Sequence, residues 1–356
     1  MPDSRALDSR PDLAIVVVNF NSWPDTDRLV GSMVVQGLSL DQRFEVVVVD
    51  NASDDPPPPG LDSLPGTRVI QRPDNAGFSA GVNTAWRQTS ARWLLLLNPD
   101  VVAGPNLINQ VLRRINMFES RPEGVPGVVG FALRNEDGSR QHSVGPFPTL
   151  LGCLREAITP RPRRKYWSLA RTRPGPVPWV TGACMLVRSE VLEQLGGMDE
   201  EFFLYHEEVA LCRSARELGW QVAFDDSIEV VHLRPLQSRR VSPRLRVVTR
   251  HSKLLYFLKH RPGWEFTILS RIVMVESGLR RFCSSIAGRI DESRAWSAVA
   301  RLTRELRPGK GPRGRQVLDL ADWFLADRKN GPERAPTARP TPWVRARSIP
   351  LDVSKR

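Results

Sequence analysis

Four acidic positions and one histidine hold most of the chemistry this sequence can offer. Asp50 closes the run FEVVVVD and Asp100 closes LLLLNPD. Glu207 and Glu208 stand together in FFLYHEEVALC, and His232 closes SIEVVH. A carboxylate at a strand end is a good hard-oxygen ligand for Mg2+ or Mn2+, and magnesium needs only one or two from the protein when substrate phosphates and water supply the rest. That chemistry suits Asp100. Asp50 can accept a hydrogen bond from the ring N–H of a pyrimidine base, with Asn51 and Ser53 shaping the turn around it. Either aspartate can equally be a plain turn residue. A glutamate facing a substrate hydroxyl is a candidate general base. Two glutamates opening a helix are also favoured by its dipole and need have no further role. A lone histidine closing a strand is more often structural than a ligand.

The elements that must position these residues are legible as apolar runs. LAIVVVNF (13–20), FEVVVVD (44–50), RVIQ (68–71) and RWLLLLN (92–98) have strand length and are apolar on both faces. Helix-compatible segments at 25–36 and 79–89 separate them. Such alternation predicts an α/β fold with a mostly parallel sheet covered on both sides. Ligands bind these sheets at the carboxyl ends of the strands, where Asn19, Asp50 and Asp100 fall. DNAGFSAGVN (74–83) puts Gly77 and Gly81 at the start of a helix, where phosphate is attracted and a backbone or ligand can come close. Close helix–sheet packing explains the same glycines equally well, and the GxGxxG fingerprint is absent. DDPPPPG (54–60) is a loop. Residues 134–178 are less regular, with RPRRKYW and RTRPGPVP, and read as an insertion over one face of the sheet. Residues 179–224 read as strand, helix, glycine turn, acidic loop, helix and strand, with a further strand at 227–233.

Charge divides the chain in two. Of 51 Lys/Arg and 39 Asp/Glu, the first 235 residues hold 24 and 29, and the remainder 27 and 10. Residues 251–290 interleave basic and apolar residues at helical spacing, as a surface amphipathic helix does. Helices packed on the main domain would show the same pattern, and the two descriptions are compatible. A basic region of this kind predicts an anionic partner, nucleic acid or anionic lipid. The charge lies outside the motif-bearing region and no nucleic-acid motif is present, so nucleic acid is not expected. No segment reaches the roughly 20 apolar residues of a membrane span. The polar start MPDSRALDSRPD is no secretory signal. Four widely spaced cysteines without a CxxC pair fit a reducing compartment. A cytoplasmic protein, peripheral on the inner face of the cell membrane, is expected. The boundaries read as a flexible start (1–11), a main domain (12–240), a basic, partly amphipathic helical region (241–329) and a disordered Pro/Arg-rich tail (330–356).

The order of the motifs is more specific than any one of them. VVVNFN, VVDNAS, NAGFSAGVN, LLLLNPD, WVTGACMLVR, GGMDEEFFLYHEEVALC and a later His232 strongly resemble the family 2 glycosyltransferases, and most of all their bacterial rhamnosyltransferase-like branch. The resemblance covers about residues 12–235. It implies a GT-A fold and inverting transfer of a sugar from a nucleotide-diphospho-sugar donor. In the branch the donor is dTDP-L-rhamnose and the acceptor a lipid-linked glycan of cell-wall or surface polysaccharide assembly. The base-reading position maps to Asp50 and the metal motif to Asp100, with His232 as a second metal contact. The resemblance extends the donor site to Asn19, Asn21, Asn51, Asn75, Gly77 and Asn98, and places Trp179, Thr181 and Gly182 at the sugar and acceptor. The catalytic base maps to Glu208, with Glu207 as competitor. The chain departs from the family in having Glu for the usual Asp at the base, Ala210 where many relatives carry an acid, and LRPLQSRR after His232. Ala210 favours a second reading, a catalytically degenerate sugar-nucleotide-binding assembly partner.

Overall fold

The computed structural model describes residues 10–37, 44–120, 124–158, 166, 172–235 and 241–326. Most of the N-terminal segment, residues 236–240 of LRPLQSRR, most of RPRRKYW and the Pro/Arg-rich tail lie outside the described residues.

The apolar runs form the strands expected of them. β1 (Leu13–Asn19), α1 (Trp23–Gly37), β2 (Phe44–Asp50), β3 (Thr67–Gln71), α2 (Phe78–Arg87) and β4 (Trp93–Leu97) follow one another. The four strands lie parallel in the order β3-β2-β1-β4. Alternate side chains of each strand enter different cores. Leu13, Ile15 and Val17 pack with Leu29 and Met33 of α1, whereas Ala14, Val16 and Val18 pack with Val82 and Ala85 of α2. This is why the runs show no polar alternation: both faces are covered, and each fully buried Val or Leu contributes about 1.5–3 kcal/mol.

β5 (Val101–Val102), α3 (Leu107–Glu119), β6 (Val128–Arg134), β7 (Val144–Gly145), α4 (Leu150–Ile158), β8 (Gly175–Pro176), β9 (Trp179–Val180), β10 (Cys184–Arg188), α5 (Ser189–Leu195), α6 (Glu207–Glu217) and β11 (Val222–His232) complete the sheet and its cover. β10 runs antiparallel between β4 and β6, β11 lies parallel beside β6, and β5 pairs with the end of β11. The two strands expected around residues 224 and 227–233 are one strand. A register shift between Asp225 and Glu229 lets it continue, with the Asp225 carboxylate accepting from Ser227 N at 2.9 Å and pairing with Arg114. A bulge had the composition of a turn.

The basic stretch at 251–290, by contrast, is divided between helices. α7 (Pro243–His260) and α8 (Gly263–Ile286) are separated at Arg261–Pro262 and followed by α9 (Ile290–Glu305) and α10 (Arg315–Leu325). α7 is capped by Ser242, whose Oγ accepts from Leu245 N at 3.2 Å, with Pro243 in the first turn. Its Val247, Leu254, Leu255 and Phe257 enter the same core as β1, β4 and α6. The C-terminal helices therefore share one hydrophobic interior with the sheet. Among the described residues no helix is long and apolar enough to cross a membrane.

Candidate active site

A cleft of about 650 Å³ opens at the carboxyl ends of the central strands. Asn98 and Asp100 reach it from the end of β4, Thr181 and Gly182 from the turn before β10, Glu207 and Glu208 from the start of α6, and His232 from the end of β11. Arg250 and Lys253 of α7 form part of the facing wall.

Asp100 and His232 meet because β5 and β11 pair, with Val101 opposite His232 and Leu233 N donating to Asp100 O at 3.0 Å. His232 Nε2 lies 3.3 Å from Asp100 Oδ1 and 3.4 Å from Asn98 Nδ2. Gln141 sets the ring's tautomer. Its Nε2 donates to the His232 carbonyl at 2.6 Å, which leaves its Oε1 to face His232 Nδ1 at 3.1 Å. An oxygen there requires a proton on Nδ1, so Nε2 is the ring nitrogen that faces the Asp100 carboxylate and the one that could ligate a cation. One imidazole nitrogen and one carboxylate make a partial ligand set for a divalent cation, with the other positions left to phosphate and water. Among the described residues there is no group of three His, Cys, Asp or Glu that could hold a metal. Arg234 adds a cation at the rim, its Nε 3.8 Å from Asp100 Oδ2 and its guanidinium paired with Asp25.

The acidic loop sorts itself by partner. Asp199 and Glu201 pair with Lys259 of α7, Glu201 also with Arg313, and Glu200 accepts from Asn83 Nδ2 at 2.7 Å. Burial raises the Glu201 pKa, but Lys259 and Arg313 outweigh it and leave the carboxyl below its ordinary range. Three acids thus hold the loop in place, and the remaining two, Glu207 and Glu208, line the cleft. Two successive non-glycine residues, Tyr205 and His206, take left-handed φ values of 67° and 70° just before them. Such residues cost of order 1–3 kcal/mol each and turn the chain sharply into α6. Gly77 fixes the same loop from the other side: an added Cβ would lie 2.2 Å from Phe203 O, to which Phe78 N donates at 3.0 Å. Gly182 faces Glu208, whose Cβ stands 3.8 Å, an ordinary contact distance, from where a Cβ at position 182 would lie.

The other residues expected at the donor form a second cluster, one strand over. Asn19 is fully buried and donates from Nδ2 to Asp50 Oδ1 at 2.9 Å and to Ser53 Oγ at 3.0 Å. Ser53 donates from its own hydroxyl to Asp50 Oδ1 at 2.5 Å and from its amide to Oδ2 at 3.2 Å. Asn51 Nδ2 donates to Gly77 O at 2.9 Å, and Asn75 Oδ1 accepts from Gly77 N at 3.1 Å. Asn21 and Asp54 bond reciprocally at the exposed rim. Asp50 and its neighbours are thus joined to the Gly77 loop and do not line the cleft that holds Asp100. Trp179 does not line it either; its indole is buried and donates to Pro146 O at 2.9 Å. Gln141, Arg234, Arg250 and Lys253 were not anticipated. Arg234 lies two residues beyond the strand-closing histidine, which is a usable signal; the others have none in local sequence.

The sequence pattern of Glycosyl transferase family 2 matches residues 14–196. N-acetylglucosaminyl-diphospho-decaprenol L-rhamnosyltransferase of Mycobacterium tuberculosis (strain H37Rv) is 28% identical over 299 residues, 76% of this chain and 94% of that protein. Low-salt glycan biosynthesis hexosyltransferase Agl10 of Haloferax volcanii is 26% identical over 238 residues, 64% of this chain and 69% of that protein. Among solved structures, mannosyltransferase PcManGT from Pyrobaculum calidifontis in complex with GDP-Man and Mn2+ is similar with a TM-score of 0.47 and 16% identity, covering 89% of this chain and 85% of that one.

Proposed function

The chain belongs to the family 2 glycosyltransferases, with the GT-A fold that its mostly parallel sheet was expected to form, and we propose that it transfers L-rhamnose from dTDP-L-rhamnose to a hydroxyl of a lipid-linked glycan. The glycosyltransferase activity follows from the family. The L-rhamnosyl group and the lipid-linked acceptor rest on the mycobacterial relative's printed activity and on its alignment with most of both chains, and the dTDP carrier on the resemblance to the rhamnosyltransferase-like branch.

The observation that carries the mechanism is the convergence of Asp100, His232 and the Glu207–Glu208 pair on one cleft. Asp100 and His232 Nε2 would hold Mg2+ or Mn2+, which when bound neutralises the leaving diphosphate. Glu208 takes the proton from the acceptor hydroxyl as it attacks the anomeric carbon from the face opposite the diphosphate, inverting that centre. Glu207, its neighbour in the same first turn, is the competing base. Asp50, held by Asn19 and Ser53, accepts from the ring N–H of the pyrimidine. The enzyme works on the cytoplasmic side, peripheral on the membrane that carries its acceptor.

A donor panel of dTDP-rhamnose, UDP-sugars and GDP-mannose, with and without Mn2+ or Mg2+, tests this reading. Metal-dependent transfer from dTDP-rhamnose to a diphosphate-linked N-acetylglucosamine is expected, and Glu208→Gln should reduce it by roughly 10²–10⁴. Wild-type rates in Glu208→Gln would remove the base. Donor binding without turnover would favour the degenerate reading that Ala210 suggests. Ala210 is buried in the core and does not line the cleft.

A further inference from the structure

α8 carries an exposed apolar stripe that none of the described residues covers. Trp264, Ile268, Ile272, Val275, Leu279 and Phe282 follow one another at intervals of three or four residues, and Ile286 ends the series. Every one is between 39% and 74% exposed. At 100° per residue they occupy one narrow face of a 24-residue helix, a strip about 33 Å long. The opposite face, with Phe266, Leu269 and Val273, is buried in the core. A soluble surface scatters single apolar residues; a continuous strip marks a contact face.

The charges of the same helix point to what it contacts. Arg271 and Arg281 are exposed on α8; Arg280, also exposed, is turned onto α9, its guanidinium over the Trp296 ring and its Nε 2.9 Å from Glu276. Its two acids, Glu265 and Glu276, are not exposed; Glu265 pairs with Arg261, and Glu276 with Arg250 and Arg280. The exposed charges of this helix are therefore cationic only. A second copy laid face to face would bring the same cations together with no acid on the helix to answer them. An anionic bilayer answers both features: the stripe enters the acyl boundary and the arginines meet headgroups.

We propose that α8 lies in the plane of an anionic membrane and that this face sets the cleft over the lipid surface. α4 supports the second part. Its first amide, Leu150 N, donates to Glu265 Oε2 at 3.0 Å, which brings α4 to the first turn of α8. Leu151 and Leu154 of α4 are exposed, while Glu156 of the same helix lines the cleft and pairs with Lys253 at 2.8 Å. One short helix thus joins the docking face to the cleft wall. An acceptor anchored by a lipid tail would approach along it. That purpose rests on the proposed lipid-linked acceptor; membrane binding does not.

The test is sedimentation of the full chain with vesicles of phosphatidylcholine containing phosphatidylglycerol, against phosphatidylcholine alone. Binding to the anionic vesicles is expected, with a Leu279→Glu/Phe282→Glu double variant weaker by ~10-fold or more, and Arg271→Glu/Arg281→Glu losing the preference for anionic lipid. A fluorophore on the exposed Cys283 of α8, in a Cys153→Ser background, should shift to the blue on binding. The thiols of Cys184 and Cys212 are buried and pushed up to about 12, so they do not compete for label. Transfer to a soluble acceptor should be unchanged in the double variant and transfer to a vesicle-borne acceptor reduced. Vesicle binding without any transfer would sink the functional reading and leave this surface standing. Unchanged vesicle binding in the double variant overturns the proposal, and so does a wild-type dimer in sedimentation equilibrium that the variant breaks without loss of vesicle binding.

Discussion

The two walls of the cleft are built in different ways. The strand wall uses short polar side chains at the ends of paired strands: Asn98, Asp100 and His232, fixed by the β5–β11 pairing and by Gln141. The helix wall uses long cations from α7, each tied to an acid on another helix, Arg250 to Glu276 and Lys253 to Glu156, both at 2.8 Å. A rigid strand end holds a ligating atom to within a fraction of an ångström, as positioned chemistry demands. A paired lysine or arginine can change partner and follow a substrate. The strand wall is suited to the reacting diphosphate, the helix wall to a variable acceptor.

Removing chemistry from the strand wall should have the largest effect. Asp100→Ala is expected to reduce transfer by roughly 10²–10³ while the melting temperature of the free protein stays near wild type. The donor-induced rise in melting temperature should lose its metal dependence. A variant that melts early but transfers normally per folded molecule would make Asp100 a turn residue, and the contrast between the walls would disappear.

Acid should attack the helix wall. His251 of α7 is fully buried, its Nε2 2.8 Å from Pro312 O, and burial lowers its pKa from 6.5 to about 4. Below pH 6.5 the unfolded chain takes up a proton that the folded chain refuses. The stability that depends on neutral His251 is present above pH 6.5 and is lost as pH falls from 6.5 towards 4, about 3 kcal/mol in all. Urea unfolding of wild type and His251→Gln at pH 7 and 4.5 should show the wild type losing more stability between the two.

The smallest of these effects should come from the support behind the strand wall. Gln141→Leu removes the oxygen that holds the proton on His232 Nδ1. It is expected to weaken metal-dependent transfer by roughly 10–100-fold, as loss of such supporting contacts does. Gln141→Glu keeps an acceptor at that position and should retain more activity. Equal losses in both would mean that Gln141 acts through packing and not through the tautomer.

The strand wall was legible in the sequence and the helix wall was not. β2 has the limits read from FEVVVVD, and the ends of β1 and β4 fall within a residue of those expected. Covered parallel strands write themselves as apolar runs, and a polar residue closing such a run must lie at the strand end. The helix wall depends on which face of α7 turns inward, and a stretch such as HSKLLYFLKH has apolar and basic residues on every side. Its buried His251 and cleft-lining Lys253 are two positions apart and nothing local separates them. The left-handed pair Tyr205–His206 was hidden because neither residue type announces that conformation as glycine does. The bulge at Asp225–Glu229 was hidden because its polar residues have the composition of a turn.

The start of α10 reaches back across the site. Arg315 Nη1 donates to Asn75 O at 3.1 Å across 240 positions of sequence, and Gly314 N donates to Glu201 O at 2.8 Å. These bonds brace the Gly77 loop and the acidic loop with residues the ribosome adds long after both. A nascent chain stopped before Gly314 has its strand ends and both glutamates but not this brace. The site is completed late in synthesis, so a half-made chain still on the ribosome holds the parts of the enzyme without their final alignment.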